Sequence, residues 1–166
     1  GESDKEYVGR LAGMEAGPLL DRMHFLSAGA VSFARGLNDT PKIAALLLLT
    51  GSISRFTSTA LVGLVIGVGG VISAKRVAET MSKKITPMNH GQGFTANLIT
   101  SLIVIFASRL GLPVSTTHVS CGSLFGIGTV TRQGQWNVIG KILGSWLVTL
   151  PIGALLGGVA YLLVTL

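Results

Sequence analysis

Gly36-Leu37-Asn38-Asp39-Thr40-Pro41 lies between two strongly apolar stretches, and after Asp21 the only acid other than Asp39 is Glu79, in a basic segment. A carboxylate is costly to hold in hydrocarbon, so one at this depth marks an ion or substrate path. Pro41 lacks a backbone donor and disfavours helix at Thr40, while Gly36 tolerates unusual dihedrals. The stretch therefore predicts a first helix broken into two halves with an opened turn between them. An apolar chain with an acidic helix break reads as a membrane transporter.

Composition agrees. Of 166 residues, 48% are hydrophobic and 12% charged, and apolar runs near bilayer-crossing length recur at about 23–50, 57–74, 94–110, 114–130 and 136–166. The predicted fold is all-α and integral to the membrane, with about five membrane-crossing or re-entrant helical segments. Thirteen Lys and Arg against seven Asp and Glu would suggest nucleic acid in a soluble protein. Here the basic residues cluster between apolar runs, which fits cytoplasmic-loop bias and no nucleic-acid partner. Residues 1–22 are polar and lack the apolar core of a secretory signal. They are expected to be a leader or linker, with a short interfacial helix from Pro18, and residues 23–166 form the transmembrane region. Cys121 is the only cysteine, which excludes an intrachain disulfide and a cysteine metal cage. Gly63, Gly67, Gly69 and Gly70 have spacings suited to tight helix contact. Arg55 is expected in an external turn and Pro151 at a kink.

Lys75, Arg76, Lys83 and Lys84, opposed only by Glu79, predict a cytoplasmic loop over residues 75–90. If residues 132–141 lie on the same side, residues 114–130 must cross between them, which makes five crossings. An odd count lets a second homologous copy insert upside down. A re-entrant hairpin is the alternative, because a short run rich in Ser, Thr and Gly is a poor lipid-facing span.

Two polar clusters interrupt the pattern. Asn38 and Asp39 offer oxygens to a hard cation such as sodium, together with carbonyls freed at a helix break. Ser115, Thr116 and Thr117 follow Pro113 at the start of a helix, where unpaired amides and the positive end of the dipole can hold an oxyanion. The plain alternative for such a hydroxyl is a helix cap. Asp39 has a structural alternative too, an ion pair with Arg35 or Lys42. His118 is expected to be packed and bonded to a hydroxyl or carbonyl, with proton transfer as the other reading, and Cys121 to be a packing residue. No enzyme is expected: Asp39 has no second acid beside it, and nucleotide-binding loops and His/Cys metal spacings are absent from the sequence.

The segments Gly36-Leu37-Asn38-Asp39, Lys83-Lys84-Ile85-Thr86-Pro87, Gly93-Phe94 and Ala107-Ser108-Arg109-Leu110-Gly111-Leu112-Pro113-Val114-Ser115-Thr116-Thr117-His118 resemble the inorganic phosphate transporter family of phosphate and some sulfate permeases. Trp136, Lys141, Ser145-Trp146 and Leu150-Pro151 extend the likeness. It implies a multi-pass cell-membrane carrier coupled to sodium or protons, with no other cofactor, built from two inverted halves. This chain resembles one half, more the C-terminal one. The remaining half or another copy would then be its partner, alongside lipid and the transported oxyanion. The resemblance assigns Asn38 and Asp39 to cation (sodium) and anion coordination, and Ser115, Thr116 and Thr117 to the anion. Thr40-Pro41-Lys42 departs from the family, replacing a second amide with Lys42, which bears on the coupling ion and the choice of anion. Alternatives are a sulfate permease, a non-transporting half-subunit and a passive anion channel.

Overall fold

The computed structural model describes residues 9–11, 13–49 and 51–165. Five α-helices dominate: α1 (Ala16–Leu48), α2 (Arg55–Glu79), α3 (His90–Arg109), α4 (Thr116–Thr131) and α5 (Trp136–Thr165). A small antiparallel hairpin precedes them, pairing β1 (Arg10–Leu11) with β2 (Met14–Glu15). Gly13, at φ 83°, turns it. Part of the expected leader, residues 1–8, lies outside the described residues. Its end is no loop, because residues 16–22 already belong to α1, and Pro18 sits in the first turn where backbone donors have no helical partner.

The expected break in α1 does not form. The helix runs 33 residues through Gly36 and Pro41, and Gly36 keeps a negative φ. Proline deletes only one i→i−4 bond, and in a water-poor setting every other backbone group gains by staying in the helix. The extensive contact of α1 with α3, and its lesser contact with α2, hold it in one line.

The expected basic loop is also mostly helical. α2 runs past Ala74 to Glu79 and continues as a π-helical turn, Thr80–Ile85, leaving residues 86–89 as the extended link. Arg76, Lys83 and Lys84 lie in the last turns of these segments, where cations favour the negative end of the dipole. Arg55 opens α2 behind its cap Ser54 and is not in a turn. Asn89 and Gln92 start α3 with a reciprocal capping box. α5 continues through Pro151.

The run 55–85, α3 and α5 are each long and apolar enough to cross a membrane. The 16 residues of α4 span roughly 24 Å at about 1.5 Å per residue, short of a hydrocarbon core of about 30 Å. Where the π turn, α3, α4 and α5 meet, Ile85, Ala96, Cys121, Leu124 and Ile139 form the core, flanked by Met81, Phe125 and Trp146.

The glycines of α2 make no tight contacts; a Cβ on Gly63, Gly67, Gly69 or Gly70 would meet open space. Close approach occurs instead at the α4–α5 connection, where a Cβ on Gly128 would lie 2.9 Å from the Gly134 Cα. The Gly128 carbonyl accepts from the amides of Gln133 and Gly134, Arg132 turns the chain at φ 57°, and the Gln135 amide donates to Ile85 O at 2.9 Å. Gly128→Ala is expected to destabilise by about 1–3 kcal/mol through overpacking against backbone. Gly122→Ala, with open space beside it, is expected to be neutral or stabilising by up to about 1 kcal/mol. Thermal unfolding of the two purified variants in detergent checks the contrast.

Candidate ion and oxyanion site

The middle of α1, the end of α3 and the start of α4 converge on the Val114 carbonyl. Gly111 (φ 70°) and Pro113 keep residues 112–114 out of helix, so this carbonyl is free to accept from side chains. It takes Asn38 Nδ2 at 2.8 Å and Lys42 Nζ at 2.6 Å. Asn38 is 4% exposed, and such burial requires its amide to be satisfied. Its Nδ2 also donates to Asp39 Oδ1 at 2.9 Å, and its Oδ1 accepts from Ser108 Oγ at 3.3 Å.

Asp39 is held from both sides. Oδ2 accepts from Thr116 Oγ1 at 3.1 Å, across the gap between α1 and α4, while Oδ1 receives Asn38 and, at 3.5 Å, Lys42. Of the two ion pairs weighed from sequence, the one with Lys42 forms, and Arg35 makes none among the described residues. The Asp39 and Lys42 side chains are 30% and 37% exposed, so their attraction is screened and contributes at most about 1 kcal/mol. Stabilisation by that pair does not account for the whole arrangement.

The three consecutive hydroxyls separate. Ser115 caps α4, accepting from the His118 amide at 3.3 Å, and meets His118 Nδ1 at 2.6 Å. Thr116 is buried and faces Asp39. Thr117 is exposed and makes no hydrogen bond among the described residues. Successive residues on a helix are turned by about 100°, so neighbours cannot all address one point. His118 bonds a hydroxyl as expected but is exposed and not packed away, with its ring stacked on Trp146 at 3.7 Å.

Sequence reasoning missed the Val114 carbonyl and Ser108. Pro113 was the available signal for the first, since a carbonyl just ahead of a helix lacks a helical donor; Ser108 carries none. Among the described residues no group of three His, Cys, Asp or Glu could hold a metal ion. The cluster instead brings together carboxylate, amide and carbonyl oxygens, groups of the kind a hard cation accepts, and the start of α4 presents amides beside it.

Residues 4–157 match the model of the phosphate transporter family. The chain is 33% identical over 150 residues to a probable low-affinity inorganic phosphate transporter of Rhizobium meliloti, covering 84% of this chain and 45% of that protein. It is 33% identical over 155 residues to the human sodium-dependent phosphate transporter 1, covering 86% and 23%, respectively. With inorganic phosphate transporter 2-1, chloroplastic, of Arabidopsis thaliana, identity is 35% over 149 residues, 81% of this chain and 25% of that protein. The chain thus spans less than half the length of each of these relatives. No solved structure matches it.

Proposed function

The chain belongs to the phosphate transporter family, membrane transporters and not enzymes, and we propose that it forms part of a secondary carrier moving inorganic phosphate with sodium or protons across the cell membrane. The observation that carries the reading is the Asp39–Thr116 contact, which joins a full negative charge in mid-helix to the start of another helix. Asp39, the Asn38 amide oxygen and the Val114 carbonyl supply sodium ligands. The amides opening α4 supply anion donors, joined by Thr116 once sodium takes its place on Asp39 and frees its one hydrogen, with Ser115 shaping that turn and Thr117 reaching the anion only if α4 rotates.

The helical region from the start of α1 onward acts as one half of the carrier, and a second half or second copy completes the site. The relatives' greater lengths support this, as does α5, whose most apolar window has none of its residues buried within the chain. α4 serves as the short fourth segment, crossing or re-entering. Sulfate is the competing substrate, since it is also a tetrahedral oxyanion.

Lys42 bears on coupling. Its ammonium contacts Val114 O and Asp39 Oδ1, two of the oxygens a sodium ion would use. It is a tethered competitor, and an arriving cation must displace it. Lys42→Met is therefore expected to lower the sodium concentration for half-maximal uptake by about tenfold, the equivalent of one charge-assisted contact. A higher requirement would assign Lys42 to the anion instead.

The deciding experiment is uptake of radiolabelled phosphate and, separately, sulfate into proteoliposomes under sodium, proton or no gradient. Phosphate accumulation that collapses without a cation gradient is expected. Flux indifferent to both gradients would make the chain part of a passive anion path.

A further inference from the structure

A cavity of about 280 Å³ lies among α1, α3, α4 and the segment 78–88, with Arg35, Ser32, Asn97, Thr100, Ser120 and Ser123 contributing its polar lining. Its volume corresponds to roughly nine waters at about 30 Å³ each, room for a tetrahedral anion that keeps part of its hydration. His24 lines it as well, but among the described residues no Asp or Glu does. Arg35 is one helical turn before Asp39, yet the Asp39 oxygens are engaged by Asn38, Lys42 and Thr116. Arg35 Nε is shut off from solvent and has no hydrogen-bond partner, and among the described residues the guanidinium makes no hydrogen bond or ion pair.

Arg35 is half-buried, and its guanidinium presents five donors in a fork that fits the edge of an oxyanion. Other donors converge with it. Asn97 Nδ2 donates one hydrogen to Ser27 Oγ at 3.2 Å, which leaves its second hydrogen uncommitted. Thr100 Oγ1 and Ser123 Oγ lie 2.9 Å apart, and Ser123 Oγ also reaches Val119 O and Ser120 O. Because a hydroxyl has one hydrogen and Ser123 gives its own to its helix carbonyls, Thr100 is the donor in that contact; a ligand oxygen takes the Thr100 hydrogen by replacing Ser123 Oγ as its acceptor. Ala78 and Met81, which also line the cavity, belong to the basic run 75–84, which enriches anions nearby.

We propose that this cavity is a second oxyanion site, with Arg35 as its cation and Asn97 and Thr100 as its neutral donors, set apart from the Asp39–Thr116 cluster. The proposal rests on the reading above only in taking a tetrahedral oxyanion as the ligand class. Its charge comes from the protein, so binding needs no sodium. A free inorganic anion on its way to the carrier site and a lipid phosphate headgroup present the same chemistry to Arg35.

The test is equilibrium binding of radiolabelled inorganic phosphate to the full chain in phosphatidylcholine nanodiscs, in sodium-free choline gluconate. Saturable binding is expected in wild type and in Asp39→Asn. Arg35→Gln is expected to weaken it by at least about tenfold, Arg35→Lys by only a few-fold, and the near-isosteric Thr100→Val by about threefold or more. Absence of sodium-free binding, or equal binding in Arg35→Gln, overturns the site; should Arg35→Gln not assemble, equal binding in Thr100→Val does so. Loss in Asp39→Asn as severe as in Arg35→Gln would merge this site with the first and also overturn it. The carrier reading fails separately, on gradient-indifferent uptake. Adding phosphatidic acid to the nanodiscs separates the two ligand sources: suppression of phosphate binding identifies a lipid headgroup as the membrane occupant, and unchanged binding identifies the free anion.

Discussion

Asp39→Asn is expected to reduce cation-driven phosphate uptake to about one hundredth of wild type or less, while the protein still reaches the membrane. The side chains are nearly isosteric, so an amide can keep the packing between α1 and α4 and accept from Thr116 as the carboxylate does at 3.1 Å. What disappears is the charge. Hydrogen bonds and ion contacts to a charged group contribute about 1.5–3 kcal/mol each. Losing about 3 kcal/mol corresponds to roughly a hundredfold, and Asp39 is the sole carboxylate in the cluster. Lys42 makes the effect directional. With Asp39 neutral, its ammonium keeps the Val114 carbonyl at 2.6 Å but has no acid beside it, so positive charge accumulates where a cation must arrive. Uptake that remained sodium- or proton-dependent in this variant, measured at matched protein density in proteoliposomes, would remove Asp39 from the coupling site.

How much of this was legible in the sequence depended on whether a feature is local. The apolar runs placed α3, α4 and α5 closely, because hydropathy and the turn residues Gly111 and Pro113 act within a few positions. The meeting of Asp39 with the start of α4 was legible as chemistry: an isolated acid and a hydroxyl-rich helix start complement one another. Its detail was not. Continuity of α1 through Pro41 depends on contact with α3, a long-range effect that local proline rules do not contain. Grouping Ser115, Thr116 and Thr117 as one site overlooked the rotation of the helix, which sends one to the cap, one to Asp39 and one to the exterior. The glycines of α2 looked like packing residues, but the close backbone approach belongs to Gly128 and Gly134, where a left-handed Arg132 folds the connection back. Arg35 was readable only as a partner for Asp39, since nothing in the sequence announces a cavity beside it.

Thr116→Val and Ser115→Ala, compared side by side, separate an anion site from a helix cap. Thr116 is 5% exposed and supplies the hydroxyl on Asp39 Oδ2, and valine preserves its shape while deleting the donor. The carboxylate then loses its partner on α4, at about 1–3 kcal/mol, so the phosphate concentration for half-maximal uptake is expected to rise by about tenfold to a hundredfold. Ser115 accepts from the His118 amide, and its removal costs a cap worth about 1 kcal/mol. That loss falls on the stability of α4 and on the stacking of His118 against Trp146, so Ser115→Ala is expected to lower the unfolding temperature while shifting the phosphate requirement by no more than a few-fold. Equal shifts in phosphate requirement would return both hydroxyls to a common anion cradle. No shift in Thr116→Val would leave the contact between α1 and α4 a structural one, because a carboxylate that keeps working without its hydroxyl partner has not passed charge recognition to the start of α4.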